Sequence, residues 1–345
     1  MTNRRQFVRA TLSAAALGPT VLQAQDKAGA RRLLTGSGQH TYEVIPDWAR
    51  LPAGRRFGNT HAVVEDSQGR ILIHHQGPES VCIFDPDGRF IKSWGSQWQA
   101  GAHGMQLRKE GSEEFLYLAT TNQHLVVKTN LDGEVVFKLE YPSDAKDAAG
   151  NPCYADGGRY NPTNIALAPN GDFYVADGYG SNFIHQYDIQ GQYIRTFGGT
   201  GTGDGQLRCP HGIWCDTRGN QPMLLVADRA NERLVYFSLD GRHHRTIKPA
   251  DNAYRHPCHF DQRGQELLLP GLHGRVSILD ADNAVVAVLG DNADARQRGR
   301  NDIPRDQRSD GIFVSPHGAC FDRAGNIFVT EWLLDGRVTK LRRVA

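Results

Sequence analysis

The chain lacks three features that would each have fixed its class at once. No two of its six cysteines, Cys82, Cys153, Cys209, Cys215, Cys258 and Cys320, stand in a CxxC pair. That excludes a zinc ribbon, a thioredoxin-type redox motif and a disulfide-dense small scaffold, and buried free thiols are the expectation. Charge of one sign is also missing, with Lys+Arg 39 against Asp+Glu 38. This balance argues against a nucleic-acid or anionic-membrane partner. The third absence is a long apolar run: the longest, Ala10 to Leu22, is too short to span a bilayer. What the chain has in quantity is glycine, 38 in 345 residues, recurring at intervals that mark turns.

The N-terminus reads as a separate segment. Asn3-Arg4-Arg5-Gln6-Phe7-Val8-Arg9 precedes an Ala-rich stretch, and Ala24 offers a small residue for cleavage. The pattern resembles a twin-arginine signal over residues 1–24, which implies a periplasmic or secreted protein exported already folded. Residues 25–345 are then the mature chain, with no membrane span. A monomer is the expected state.

Aligning the mature chain on itself shows one motif repeated: a histidine, an apolar strand, a glycine eight residues after the histidine, then a second apolar strand. The pairs are His61/Gly69, His103/Gly111, His211/Gly219, His256/Gly264 and His317/Gly325, with Thr163/Gly171 in the same register. Short β-rich runs separated by Gly, Asp and Asn turns predict an all-β, six-bladed propeller. The last unit stops one strand short after Val338-Thr339-Lys340-Leu341, and Thr41 to Ile45 ahead of the first unit can supply it. An N-terminal strand therefore closes the ring.

This geometry decides which residues meet. If each innermost strand begins at one mouth of the channel, the ends of the second strands return to that mouth: Gln76, Thr121, Tyr179, Arg229, His273 and Trp332. Two long connections, Tyr141 to Tyr160 and Asp291 to Gly311, suit binding loops. Alternate positions of a six-membered ring form a triangle about the axis, and one such set is His103, His211 and His317. Three neutral imidazoles there make a tripod with an open coordination position. A single Pro-His-Gly at a strand start is explained by its turn alone, but histidine at five of six equivalent positions is not. The other set is His61, Thr163 and His256, whose imidazoles are placed to contact substrate.

At this point the chain resembles the peptidyl-α-hydroxyglycine α-amidating lyase family, a group of NHL-repeat propellers. The resemblance runs from about Ala102 onward. It rests on Asn161-Pro162-Thr163-Asn164, Val175-Ala176-Asp177-Gly178-Tyr179-Gly180-Ser181-Asn182, Cys209-Pro210-His211-Gly212 and Val226-Ala227-Asp228-Arg229-Ala230-Asn231. It implies zinc, or another divalent transition metal such as iron, on His103, His211 and His317, with Tyr179 and Arg229 catalytic. The reaction implied is carbon–nitrogen cleavage of a carbinolamide at a peptide end or in a small molecule. Two positions depart from the family's pattern. Gln76 stands where its other active-site arginine falls, and Gly318 stands where its structural calcium takes a carboxylate. Substrate identity and calcium stay open at this point. So do two other functions: a metal-dependent hydrolase like the lactonase propellers, and a non-enzymatic NHL binding scaffold.

Overall fold

The computed structural model describes residues 22–25, 31–155 and 159–344, and the arginines and Ala-rich run of the signal segment lie outside them. Five four-stranded antiparallel sheets and one six-stranded sheet follow one another along the chain. Blade 1 is Thr60–Glu65, Ile71–His75, Val81–Phe84 and Phe90–Trp94. Blade 2 is Ala102–Glu110, Glu113–Thr120, Leu125–Asn130 and Val135–Leu139. Blade 3 is Asn164–Leu167, Phe173–Ala176, Phe183–Tyr187 and Tyr193–Gly198. Blade 4 is Pro210–Asp216, Met223–Asp228, Arg233–Phe237 and His243–Ile247. Blade 5 is Asp261–Arg263, Glu266–Gly271, Arg275–Leu279 and Val285–Leu289.

Blade 6 takes Pro316–Phe321, Ile327–Glu331 and Arg337–Arg343 from the C-terminus and His40–Ile45 from the other end of the chain. Leu341 pairs with Val44 and Lys340 with Ile45, so the propeller is closed by the strand the sequence offered for it. The sheet then runs on outward through Arg31–Ser37 and Leu22–Gln25, an extension that nothing in the repeat announced.

The core lies between blades. Along one strand successive side chains face opposite neighbours: Leu72 packs with Met105 and Leu118 of blade 2, while Ile71 and Ile73 pack with Phe328 and Val338 of blade 6. Both faces are buried, so these strands read as continuous apolar runs instead of alternating ones. The same double-sided packing recurs at each of the six interfaces.

Blade 5 departs from the repeat. Its innermost strand is short, and Pro257 bridges Gly271 where Pro210 pairs with Asp228 in blade 4. Register therefore puts Cys258, not His256, at the place of His211. The eight-residue spacing misleads here because the innermost strand is short: Arg263 pairs directly with Glu266, as Glu110 does with Glu113 in blade 2, but without the longer strand that blade 2 has before its turn.

Tyr42 sits on the closing strand at 1% exposure, in the core shared by blades 5 and 6. Tyr42→Ala should lower unfolding stability by about 3 kcal/mol or more, as expected for emptying a buried aromatic site. Urea unfolding of the mature chain measures this, and a change under about 1 kcal/mol would show that closure does not depend on this strand's packing.

Candidate functional site

Three ring histidines are held in the same way. His103 Nδ1 lies 2.6 Å from Thr163 O, His211 Nδ1 lies 2.8 Å from Cys258 O, and His317 Nδ1 lies 3.0 Å from His61 O. In each case the acceptor belongs to the next blade round the ring. A carbonyl can only accept, so Nδ1 carries the proton and Nε2 presents its lone pair to the channel. The residue after each histidine is glycine for a steric reason. A Cβ on Gly104, Gly212 or Gly318 would come within 2.6, 2.6 or 2.4 Å of a backbone oxygen of the following blade. That oxygen is the imidazole's own acceptor at Gly212 and Gly318, and at Gly104 too it is Thr163 O.

The rings converge. Centroids of His103 and His211 are 4.7 Å apart, and both lie 4.8 Å from that of His317. His61 joins them, 4.3 Å from His317 and 4.8 Å from His103. Ligand atoms of His61, His103 and His317 all lie within 4.8 Å of one another, and those of Glu232, His256 and His273 form a second such group. His211 is linked to the first group through Tyr179.

Burial makes these imidazoles neutral. Desolvation holds His61, His103 and His211 well below the ordinary histidine range, and it takes His317 down to about 3. Neighbouring imidazoles and the Arg229 guanidinium push the same way. A neutral imidazole whose Nδ1 is fixed on a carbonyl is the form in which histidine binds a transition metal, and the donor set fits such an ion.

Tyr179 reaches the cluster from the second-strand end of blade 3. Its hydroxyl is 3.0 Å from His211 Nε2 and 3.2 Å from His103 Nε2, and it accepts a hydrogen bond from Arg229 Nη2 at 3.3 Å. Desolvation pushes the phenol up to about 12 even though Arg229 opposes it. The guanidinium lies over the tyrosine ring at 5.4 Å and also donates to Cys209 Sγ at 3.3 Å. Tyr179 also borders a cavity of about 490 Å³ whose wall includes Gln123, Tyr141, Arg159 and Tyr160, so the first long connection does line space beside the cluster.

Gln76 and His256 stand elsewhere. The Gln76 amide is occupied by Asn59 Nδ2 at 2.9 Å and by Ala102 O at 3.3 Å. His256, expected in the ring with His61, is displaced from it by the register of blade 5. Its Nδ1 pairs with Glu232 Oε1 at 2.7 Å, and its ring stacks on His273 at 4.6 Å and 10°. Glu232 escaped the sequence reading because it follows a turn outside the repeat. So did Cys258 as a ring residue, since only strand pairing reveals its register.

No family model matches the chain. It is 28% identical over 192 residues to NHL repeat-containing protein 3 of Mus musculus, covering 53% of each chain. It is 24% identical over 214 residues to peptidyl-alpha-hydroxyglycine alpha-amidating lyase 2 of Drosophila melanogaster, covering 52% of this chain and 47% of that one. The chain thus spans about half the length of these curated relatives. Among solved structures, a gluconolactonase from Xanthomonas campestris superposes with a TM-score of 0.58 at 15% identity over 94% of both chains. Sequence relatives and fold agree on a propeller of the NHL-repeat kind.

The buried histidines outside the cluster carry a pH prediction. Desolvation takes His74 and His185 to about 3, and His75 and His259 to about 4. Unfolding returns each to about 6.5, so the unfolded chain binds more protons between these values. Their contribution is fully present above pH ~6.5 and is lost as pH falls, at up to about 1.4 kcal/mol per pH unit for each. Asp177, raised to about 6, and Asp261, raised to about 7, both by burial, act in the opposite sense. The metal-free protein should lose stability steeply from pH 6 to pH 4 in thermal melts, and a flat profile there would contradict the neutral burial of these side chains.

Proposed function

We propose that this NHL-repeat propeller is an exported, metal-dependent lyase that breaks the carbon–nitrogen bond of a carbinolamide-like substrate. The observation that carries the reading is the convergence on Tyr179 of carbonyl-locked imidazoles and one half-buried guanidinium. His103, His211 and His317 would hold the ion through Nε2. The set suits zinc or iron, and Gly318 offers no carboxylate for a structural calcium. When bound, a divalent ion supplies Lewis acidity that makes a substrate hydroxyl easier to deprotonate. Tyr179 is protonated at neutral pH and touches both His103 and His211. It is placed to pass a proton between the substrate hydroxyl and the departing amide nitrogen. Arg229 steadies the phenol oxygen and offers its fork to an anionic group on the substrate. Gln76, with its amide committed to Asn59 and Ala102, adds no charge. The cavity beside Tyr179, with Arg159 on its wall, is where a small molecule or peptide end would lie.

The relative named as an amidating lyase supports the reaction class, and the neutral imidazole cluster favours an enzyme over a recognition scaffold. Export rests on Arg4 and Arg5, and changing both to Lys should leave the protein inside the cell; unchanged export of that variant would overturn it.

Purified without a tag or added metal, the protein should contain close to one transition-metal ion, retained in His124→Ala and largely lost in His211→Ala. His124 is the fitting control because its side chain is exposed. Tyr179→Phe should keep the metal and lose on the order of a hundredfold in turnover of N-acyl-α-hydroxyglycines, followed as glyoxylate release. Arg229→Lys should raise the KM for these anions more than for a neutral carbinolamide, because one ammonium cannot reproduce the bidentate fork. Equal metal in both histidine variants, or normal turnover in Tyr179→Phe, would defeat the assignment.

A further inference from the structure

Side chains of blade 3 and of the long connection before it stand in an unbroken line of hydrogen bonds. Asp177 Oδ2 lies 2.8 Å from the Tyr154 hydroxyl, which lies 2.7 Å from His185 Nε2. His185 Nδ1 is 2.8 Å from Thr196 Oγ1, and that oxygen is 2.9 Å from the Tyr193 hydroxyl. Asp177 and His185 are fully buried, whereas Tyr193 is partly exposed and borders a cavity of about 660 Å³. The line therefore runs from the interior to the surface.

Counting donors gives it one direction. An ionised carboxylate only accepts, so Tyr154 donates to Asp177. Its one proton spent, Tyr154 accepts from His185 Nε2–H. The neutral ring keeps its lone pair on Nδ1, which accepts from Thr196, and Thr196 accepts from Tyr193. Every hydrogen in the line points toward Asp177. When Asp177 gains a proton, each hydrogen moves one station inward. The Tyr154 proton passes to Asp177, the His185 Nε2 proton to Tyr154, the Thr196 proton to His185 Nδ1, the Tyr193 proton to Thr196, and a solvent proton to Tyr193. All contacts are then satisfied in reverse. His185 changes only its tautomer, from Nε2–H to Nδ1–H, as suits a ring whose burial takes its charged form down to about 3.

The carboxyl at the inner end holds the main chain on both sides of Tyr179. It accepts from the Asn161 amide at 2.6 Å and from the Ser181 amide at 2.7 Å. Bonds to a charged acceptor are roughly twice as strong as neutral ones, so a proton on Asp177 weakens both. Burial raises this carboxyl to about 6, against the pull of the two amides, Tyr154 and Arg159. The other ionisable groups that face it, Tyr160, Tyr187 and the Cys153 thiol, are all held protonated by burial and do not titrate there.

We infer that Tyr154, His185, Thr196 and Tyr193 form a proton relay between solvent and Asp177, and that Asp177 is a positioning residue whose charge sets how firmly the turn carrying Tyr179 is held. The relay needs no metal, and it bears on the reaction proposed above only through Tyr179.

NMR of 15N-labelled protein reads both halves. From about pH 7.5 down to about pH 5 the protonated nitrogen of His185 should change from Nε2 to Nδ1, with a midpoint near the value of about 6 set by Asp177. The amide protons of Asn161 and Ser181 should move upfield with the same midpoint, as their bonds weaken. Tyr154→Phe cuts the line next to Asp177. Its two amides should still titrate, at a higher midpoint because the phenol no longer stabilises the carboxylate, while His185 keeps one tautomer throughout. Wild type decides the matter even if the variant fails to fold. A His185 that holds one tautomer in wild type, or becomes doubly protonated, would overturn the relay, as would a tautomer change that survives in Tyr154→Phe. Amide protons that do not move would overturn the positioning role of Asp177.

Discussion

The site depends on one contact repeated three times: an imidazole N–H donating to a main-chain carbonyl of the following blade. Each such bond contributes only about 1 kcal/mol net, but it fixes the tautomer and aims Nε2 at the axis. The contact needs the strand to approach its neighbour closely, which is why Gly104, Gly212 and Gly318 follow the three histidines. Ring closure is part of the same constraint. The third histidine borrows its carbonyl from His61 of the first blade, so its orientation is set only once the chain's two ends share a sheet.

Around this frame the mouth is assembled from second-strand ends and one long connection. Asp177 shows how that connection is anchored. Its carboxyl accepts from the Asn161 and Ser181 amides at 2.6 and 2.7 Å and from Tyr154 at 2.8 Å, and Tyr154 also meets the buried His185. The segment that ends at Asn161 is thus clamped to blade 3 beside Tyr179. Arg229 is held over the Tyr179 ring from blade 4. A half-buried cation, a raised phenol and neutral imidazoles then lie side by side, where a small shift in proton position changes the local charge strongly.

The blade count, the closing strand and the mouth were legible because spacing between histidine and glycine reports strand length directly. That rule failed where strand length changed. In blade 5 a shorter innermost strand before the turn at Gly264 moved the ring position to Cys258 and left His256 to pair with Glu232. The outward strands Arg31–Ser37 and Leu22–Gln25 carry no repeat signal, since they extend a finished sheet, although Arg31–Ser37 packs against blade 5, where Thr35 Oγ1 accepts from Gly290 N–H at 2.8 Å.

The central claim is that the imidazoles of alternate blades hold one ion on the channel axis. A crystal of protein purified without added metal, measured on both sides of the bound element's absorption edge, tests it most directly. The account predicts a single anomalous peak at metal-bond distance from Nε2 of His103, His211 and His317, and that peak should vanish below the edge. A map with no peak among these nitrogens, or with its peak beside Glu232 and His273 instead, would contradict it.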